Sequence, residues 1–227
     1  MGSDDLFKKK RKTRKVRKQG NRRPRANSFL IVTEGEKTEP LYFKGLQKLI
    51  EEKIGGNIDV YEAPTIEIEG EGCSTSVLVE KAMELVSAAK IIYQNIWVVF
   101  DKDDFEDFDI AIEEAEKKGF KVAWSNQSFE YWLFLHFNYS DSALHRDDWE
   151  GKLTEIFRQY NLGDQKYRKN YEEIYSIVDE NNGTDTAIKN AKRRMGEFNP
   201  NKYRPSEFNP GTTVYLLVEE LKKYLDE

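Results

Sequence analysis

The chain has a single cysteine, Cys73, among its 227 residues. An intramolecular disulfide is therefore excluded. Nothing resembles a secretory signal, so the expected compartment is the reducing cytoplasm. No apolar run approaches the roughly 20 residues that a membrane-spanning helix needs, and a membrane role is not expected. Cysteine and histidine in zinc-type spacing are missing, as is a Gly-x-x-x-x-Gly-Lys-Ser/Thr loop. Intrinsic P-loop ATPase activity is accordingly not expected. Cys73 has no catalytic partner near it in sequence and reads as inert. There is no internal repeat.

Charge is present but unevenly distributed. Lys8, Lys9, Lys10, Arg11, Lys12, Arg14, Lys15, Arg17, Lys18, Arg22, Arg23 and Arg25 follow one another with no acid between them. Without residues 1–25 the chain carries 24 basic and 39 acidic residues, a net charge of −15. The formal −5 of the whole chain thus sums a basic arm and an acidic body. A block such as "KKKRKTRKVRKQGNRRPR" offers nothing to bury, so residues 1–26 are expected to be disordered. Such an arm suits nucleic acid, because each phosphate it neutralises releases counterions. The bland alternative is a solvated tail resting loosely on the acidic body.

Beyond the arm, strands and helices alternate. "SFLIVT" reads as a buried strand. "PLYFKGLQKLIEEK" is a helix with Leu41, Gly45 and Leu49, and Tyr42, Leu46 and Ile50, at helical spacing; Pro40 suits its start. Short strand signals in "NIDVYEAPTIEIEG" are broken by Pro64. "SVLVEKAMELVSAAKII" is a helix, "NIWVVF" a second fully apolar strand, and "DIAIEEAEKKG" a helix stopped by Gly119. "FKVAW" is a further strand. This order predicts an α/β fold over 27–125, a mostly parallel sheet with helices on both faces. From Ser128 onward no strand is expected. "SFEYWLFLHF", "DDWEGKLTEIFRQY", "YRKNYEEIYSIVDE", "GTDTAIKNAKRRM" and "TTVYLLVEELKKYL" all read as helices, making 126–227 a helical extension on the core.

Both fully apolar strands run straight into acids. The first gives Thr33-Glu34-Gly35-Glu36-Lys37-Thr38-Glu39; the second ends in "DKDDF", with Asp101, Asp103 and Asp104. Ligands of doubly wound sheets bind outside the carboxyl ends of the strands, where strand order reverses. Central placement of both strands would bring Glu34 and Asp101-x-Asp103 to one crevice. Carboxylates gathered there repel unless a hard cation such as Mg²⁺ (or Mn²⁺) is shared among them. Taken singly, an acid after a strand is an ordinary turn or cap residue, and Asp107 or Asp109 could cap the next helix.

A strand ending in Glu-Gly, followed later by one ending in Asp-x-Asp, resembles the Toprim signature of topoisomerases, primases and overcoming-lysogenization-defect nucleases. "IVTEGEKTEPLYFKGL", "VVFDKDDF", "SNQSFEYWLFLHF" and "NPGTTVYLLVEEL", in that order, resemble the RloB-like family across nearly all of the chain after residue 26. The resemblance implies a Toprim/Rossmann-like fold, a general acid/base at Glu34, and Mg²⁺ held by Asp101 and Asp103. It also implies association with restriction–modification and abortive-infection loci, and a partner ATPase. One departure stands out. Overcoming-lysogenization-defect motifs place a second acid four residues after the first; here that position is Thr38, and Glu39 follows it. Glu36 and Glu39 are thereby in doubt as ligands.

Glu130 interrupts an apolar stretch and is either buried and paired or faces a cleft. A cleft position would make it a further metal-facing carboxylate; the alternative is capping beside Ser128. His136 reads as a structural histidine. Lys37 is a candidate phosphate contact or an exposed lysine, and Lys189, Lys192 and Arg193, on one helix face, read as a solvated surface or as a second phosphate contact.

The expected function is Mg²⁺-dependent phosphodiester cleavage of DNA, RNA or tRNA in phage defence. A non-catalytic subunit that binds nucleic acid or an ATPase, and a primase-like nucleotidyl transferase, are the rivals. Self-association is left open.

Overall fold

The computed structural model describes residues 28–54, 65–70, 75–102 and 107–226. The basic arm, Cys73, Asp103 and Asp104 lie outside them. The elements run β1 (Ser28–Thr33), α1 (Thr38–Ile54), β2 (Thr65–Gly70), α2 (Thr75–Ala88), β3 (Asn95–Asp101), α3 (Phe108–Lys117) and β4 (Lys121–Asn126). They continue with α4 (Phe129–Leu135), α5 (Arg146–Gln159), α6 (Ile174–Asp179), α7 (Gly183–Gly196), β5 (Gly211–Thr212) and α8 (Val214–Asp226).

The sheet order is β2-β1-β3-β4-β5, with the first four strands parallel and β5 antiparallel to β4. This is a Rossmann-like α/β architecture. The interiors of strands β1 and β3, Phe29 to Val32 and Ile96 to Phe100, are apolar because both faces of each strand are covered. Phe29, Ile31, Trp97 and Val99 meet α1 and the helices α4 to α8 on one face. Leu30, Val32, Val98 and Phe100 meet α2 and α3 on the other. The chain leaves β1 for β2 on one side, then crosses back to β3 on the other. Strand order therefore reverses between β1 and β3, so a crevice opens at their carboxyl ends.

Two expectations fail in the carboxyl-terminal half. A strand does occur after Ser128: β5 pairs Thr212 with Ser125 and Gly211 with Asn126. Two residues are too few for periodicity to mark. The helix expected over "YRKNYEEIYSIVDE" is confined to Ile174–Asp179. Its first half is committed to tertiary bonds instead. Tyr167 is buried and reaches Glu130, and Tyr171 donates to Asp164. Left-handed residues at Asn161, Gly163 and Gln165 turn the chain into this loop.

Candidate functional site

Glu34 is the first residue past β1. Its backbone N–H donates to the carbonyl of Val99 at 2.9 Å, carrying the β1–β3 ladder one step further. Its side chain is held twice: Oε2 accepts from the Asp101 N–H at 3.1 Å, and Oε1 accepts from Thr75 Oγ1 at 3.1 Å. The carboxylate is thus pinned between the end of β3 and the start of α2. Burial raises its pKa above the usual carboxylate range. These two hydrogen bonds and the charge of Arg146 act against that rise.

Asp101 ends β3 and is only 9% exposed. Its Oδ2 accepts from the N–H of Phe129, the first residue of α4, at 2.9 Å. Ser128 precedes α4 without making a side-chain cap bond, so Asp101 satisfies that helix terminus from 28 residues away. Its pKa lies well above the usual value, chiefly from burial and then from the charges of Glu39 and Glu130.

Glu39, doubtful from sequence spacing, belongs to the same cluster. It is buried in the first turn of α1. Its carboxylate lies across Gly35 so closely that a Cβ there would stand 2.1 Å from Oε2. A Cβ after Glu34 would have to displace this carboxylate. Burial, reinforced by the charges of Glu130 and Glu34, pushes the Glu39 carboxyl up to about 7; its own backbone N–H and Lys169 oppose the shift.

Glu130 is buried at the start of α4. Tyr167 donates to its Oε1 at 2.9 Å, and Lys169 Nζ stands 3.7 Å from the same oxygen. Lys169 also pairs with Glu150 at 3.0 Å. Burial works against the Lys169 charge, but Glu130 and Glu150 outweigh it and hold the ammonium pKa above its usual value. Thr38 fastens the loop at α1, donating to the Lys169 carbonyl at 3.2 Å and lying 3.4 Å from the Tyr167 hydroxyl.

Together Glu34, Gly35, Glu36, Lys37, Thr38, Glu39, Asp101, Glu130, Arg146 and Lys169 line a cavity of about 320 Å³. Glu36 and Lys37 are exposed at its edge. A larger groove of about 690 Å³ runs past Trp97 and Lys121. Its Lys121 and Glu220 are paired at 2.7 Å, and no buried acid lines it. The candidate residues Glu34, Asp101 and Glu130 are therefore brought together. Asp103 and the basic residues from Lys8 to Arg25 lie outside the described residues.

Sequence reasoning missed Thr75, Arg146, Tyr167 and Lys169. Only the burial of a Tyr-x-Lys in a polar loop could have signalled the last two. His136 is not part of the cavity. Its Nδ1 bonds the Trp132 carbonyl at 3.0 Å and its Nε2 the Tyr42 hydroxyl at 3.1 Å. Burial lowers its pKa to about 4. Asp107 and Asp109 do not cap α3; they accept from Ser76 and from Ser206 respectively.

The donor chemistry fits a hard divalent cation. It is all oxygen, and burial, reinforced by the acids' charges on one another, raises the carboxyl pKa values of Glu34, Glu39 and Asp101. Hydrogen-bonded carboxylate oxygens retain lone pairs for an ion. Among the described residues no three acid, histidine or cysteine side chains already stand as a ready set of ligands. Asp101 would hold Mg²⁺ (or Mn²⁺), with Asp103 the further acid that the sequence offers and Glu34 beside it as a further ligand or as the group that moves a proton.

No curated protein and no solved structure matches the chain. No helix among the described residues is long and apolar enough to cross a membrane. Over residues 29–221, which take in every residue of the cavity, the chain matches the family described as RloB-like protein, and it belongs to that family.

Proposed function

We propose that the protein is a Mg²⁺- (or Mn²⁺-) dependent hydrolase of phosphodiester bonds in nucleic acid, acting as an effector in phage defence. One observation carries the reading. Glu34 and Asp101, each following an apolar central strand, meet at the switch point of a parallel sheet in a cavity they share with Glu39 and Glu130. Cores do not gather buried acids without a counter-charge, and pKa values perturbed in this way concentrate at functional sites.

In the reaction, water adds to phosphorus, the P–O ester bond breaks, and its electron pair leaves on the departing oxygen. Asp101 and Asp103 would hold the cation, which when bound would polarise the phosphate and stabilise the leaving oxygen. Glu34 moves the proton; its raised pKa brings it nearer the working pH than an ordinary glutamate. Lys37, exposed at the cavity edge, faces an incoming phosphate. The basic arm supplies affinity for the polyanion that an acidic body by itself would repel. A partner ATPase belongs to the same proposal, as the means of gating a nuclease that would otherwise damage its host.

The test is cleavage of DNA, RNA and tRNA by the purified chain with Mg²⁺, Mn²⁺ or a chelator. Metal-dependent cleavage by the wild type, lost in Asp101→Asn and Glu34→Gln proteins of unchanged fold, is the expected result. Full cleavage by either variant would remove the site assignment.

A further inference from the structure

Glu130 stands apart from the other acids of the cavity in one respect: it already has a cation. Its Oε1 takes the Tyr167 hydroxyl at 2.9 Å and faces Lys169 Nζ at 3.7 Å, while Lys169 is tied on its other side to Glu150 at 3.0 Å. The loop that carries both residues is fastened to the start of α1 through Thr38. Two elements thus cooperate to place the Lys169 ammonium against a buried acid on the wall of the cavity that holds Glu34, Glu39 and Asp101, where Lys37 and Arg146 are the other cationic lining residues. The carboxylate oxygens of Glu34 and Asp101 instead accept from neutral N–H and O–H donors.

We infer that Lys169 is the fixed cation that neutralises the reacting phosphate, that Glu130 with Tyr167 is its positioning device rather than a metal ligand, and that the site takes one divalent ion per chain. The inference rests on the nuclease reading above. The physical argument is charge balance. An acidic cavity must offset the phosphate and its developing charge as well as its own carboxylates. In two-metal phosphoryl sites a second ion supplies that charge. Here an ammonium anchored by a buried carboxylate and a half-buried one occupies that role, and it is in place before substrate arrives, which is where electrostatic stabilisation is most effective. Glu150 is half-buried and Lys169 about half-exposed, so the ammonium can turn from Glu150 toward a phosphate without leaving Glu130.

The experiment titrates Mn²⁺, by calorimetry and by the loss of its free-ion spin-resonance signal, into metal-free full-length wild type, Glu130→Gln, Lys169→Met and Lys169→Arg. Turnover of bis(p-nitrophenyl) phosphate is followed on the same preparations. Expected are one Mn²⁺ per wild-type chain and affinity changed less than about threefold in Glu130→Gln. Lys169→Met should bind Mn²⁺ several-fold more tightly, because a neighbouring positive charge has gone. Its turnover should fall by about 10²-fold or more, the scale of losing one preorganised charge, with partial recovery in Lys169→Arg. Two Mn²⁺ per wild-type chain, or at least about tenfold weaker binding in Glu130→Gln as expected for a lost carboxylate ligand, overturns the assignment. Binding is read without turnover, so a wild type that binds one Mn²⁺ yet cleaves nothing separates failure of the nuclease reading from failure of this one.

Discussion

Gly35 and Glu39 state the residue-scale problem most sharply. The Glu39 carboxylate occupies the space of a Gly35 side chain. A methyl group there must displace it, and since the obstructing atoms end a flexible side chain, the fold can adapt. Gly35→Ala is therefore expected to cost no more than about 1 kcal/mol in stability, yet to weaken Mn²⁺ binding measurably by moving an acid within the cavity. Unchanged Mn²⁺ affinity beside unchanged stability would mean that Glu39 does not sense the ion. Glu39→Gln tests the same group through pH. Its folded carboxyl pKa is raised to about 7, so its contribution is fully present below the unfolded value near 4.5 and is lost as pH rises through 7. Chelator-treated wild type should accordingly lose stability relative to Glu39→Gln between pH 5 and pH 8, as melts across that range would show.

His136 has the opposite sign. It is buried and neutral, with its pKa lowered to about 4. Its contribution is present above the unfolded value near 6.5 and is lost as pH falls through 4. The whole shift corresponds to about 3 kcal/mol. Urea melts of wild type and His136→Gln should converge by roughly that amount between pH 7 and pH 4. Parallel pH profiles would show that the imidazole is not held neutral.

At the scale of elements, the ends matter more than the interiors. Strand β3 and helix α4 are joined by one bond, Asp101 Oδ2 to the Phe129 N–H. Asparagine keeps an acceptor oxygen for that amide while removing a buried charge surrounded by Glu39, Glu130 and Glu34. Asp101→Asn in the metal-free protein should therefore melt at or above the wild-type temperature, whereas Asp101→Ala leaves the amide unpaired, a cost of about 1–3 kcal/mol. Differential scanning calorimetry of the two variants distinguishes these outcomes. A lower melting temperature for Asp101→Asn than for Asp101→Ala would refute the capping role.

For the whole molecule, charge segregation is the governing feature. A body of net −15 carries twelve cationic residues in one terminal segment. Removing residues 1–25 should weaken nucleic-acid binding and flatten its dependence on salt, because fewer counterions are released. Fluorescence anisotropy at several salt concentrations measures both. Equal affinity and equal slope in the two proteins would mean that the segment contacts an acidic partner, or nothing.

The class of the fold, a mostly parallel sheet covered by helices on both faces, was legible in the sequence; the strand order and β5 were not. Phe29 to Val32 and Ile96 to Phe100 are unbroken apolar runs, as a strand buried on both faces requires. The acids that follow them marked Glu34 and Asp101 as neighbours, since ligands of such a sheet gather at its carboxyl edge. Local signals reached no further. Glu39 looked misplaced by spacing, and its entry into the cavity depends on how α1 starts across Gly35. Lys169 and Tyr167 sat in an apparent helix, and they become a cation and a hydroxyl for Glu130 only because the loop between α5 and α6 folds back over α4. The two-residue β5 exists only where β4 offers it a ladder. Periodicity records which residues are buried together along one element. Which charges meet across elements is fixed by packing, because pairs such as Lys169 and Glu130 are distant in sequence and leave no period in the chain.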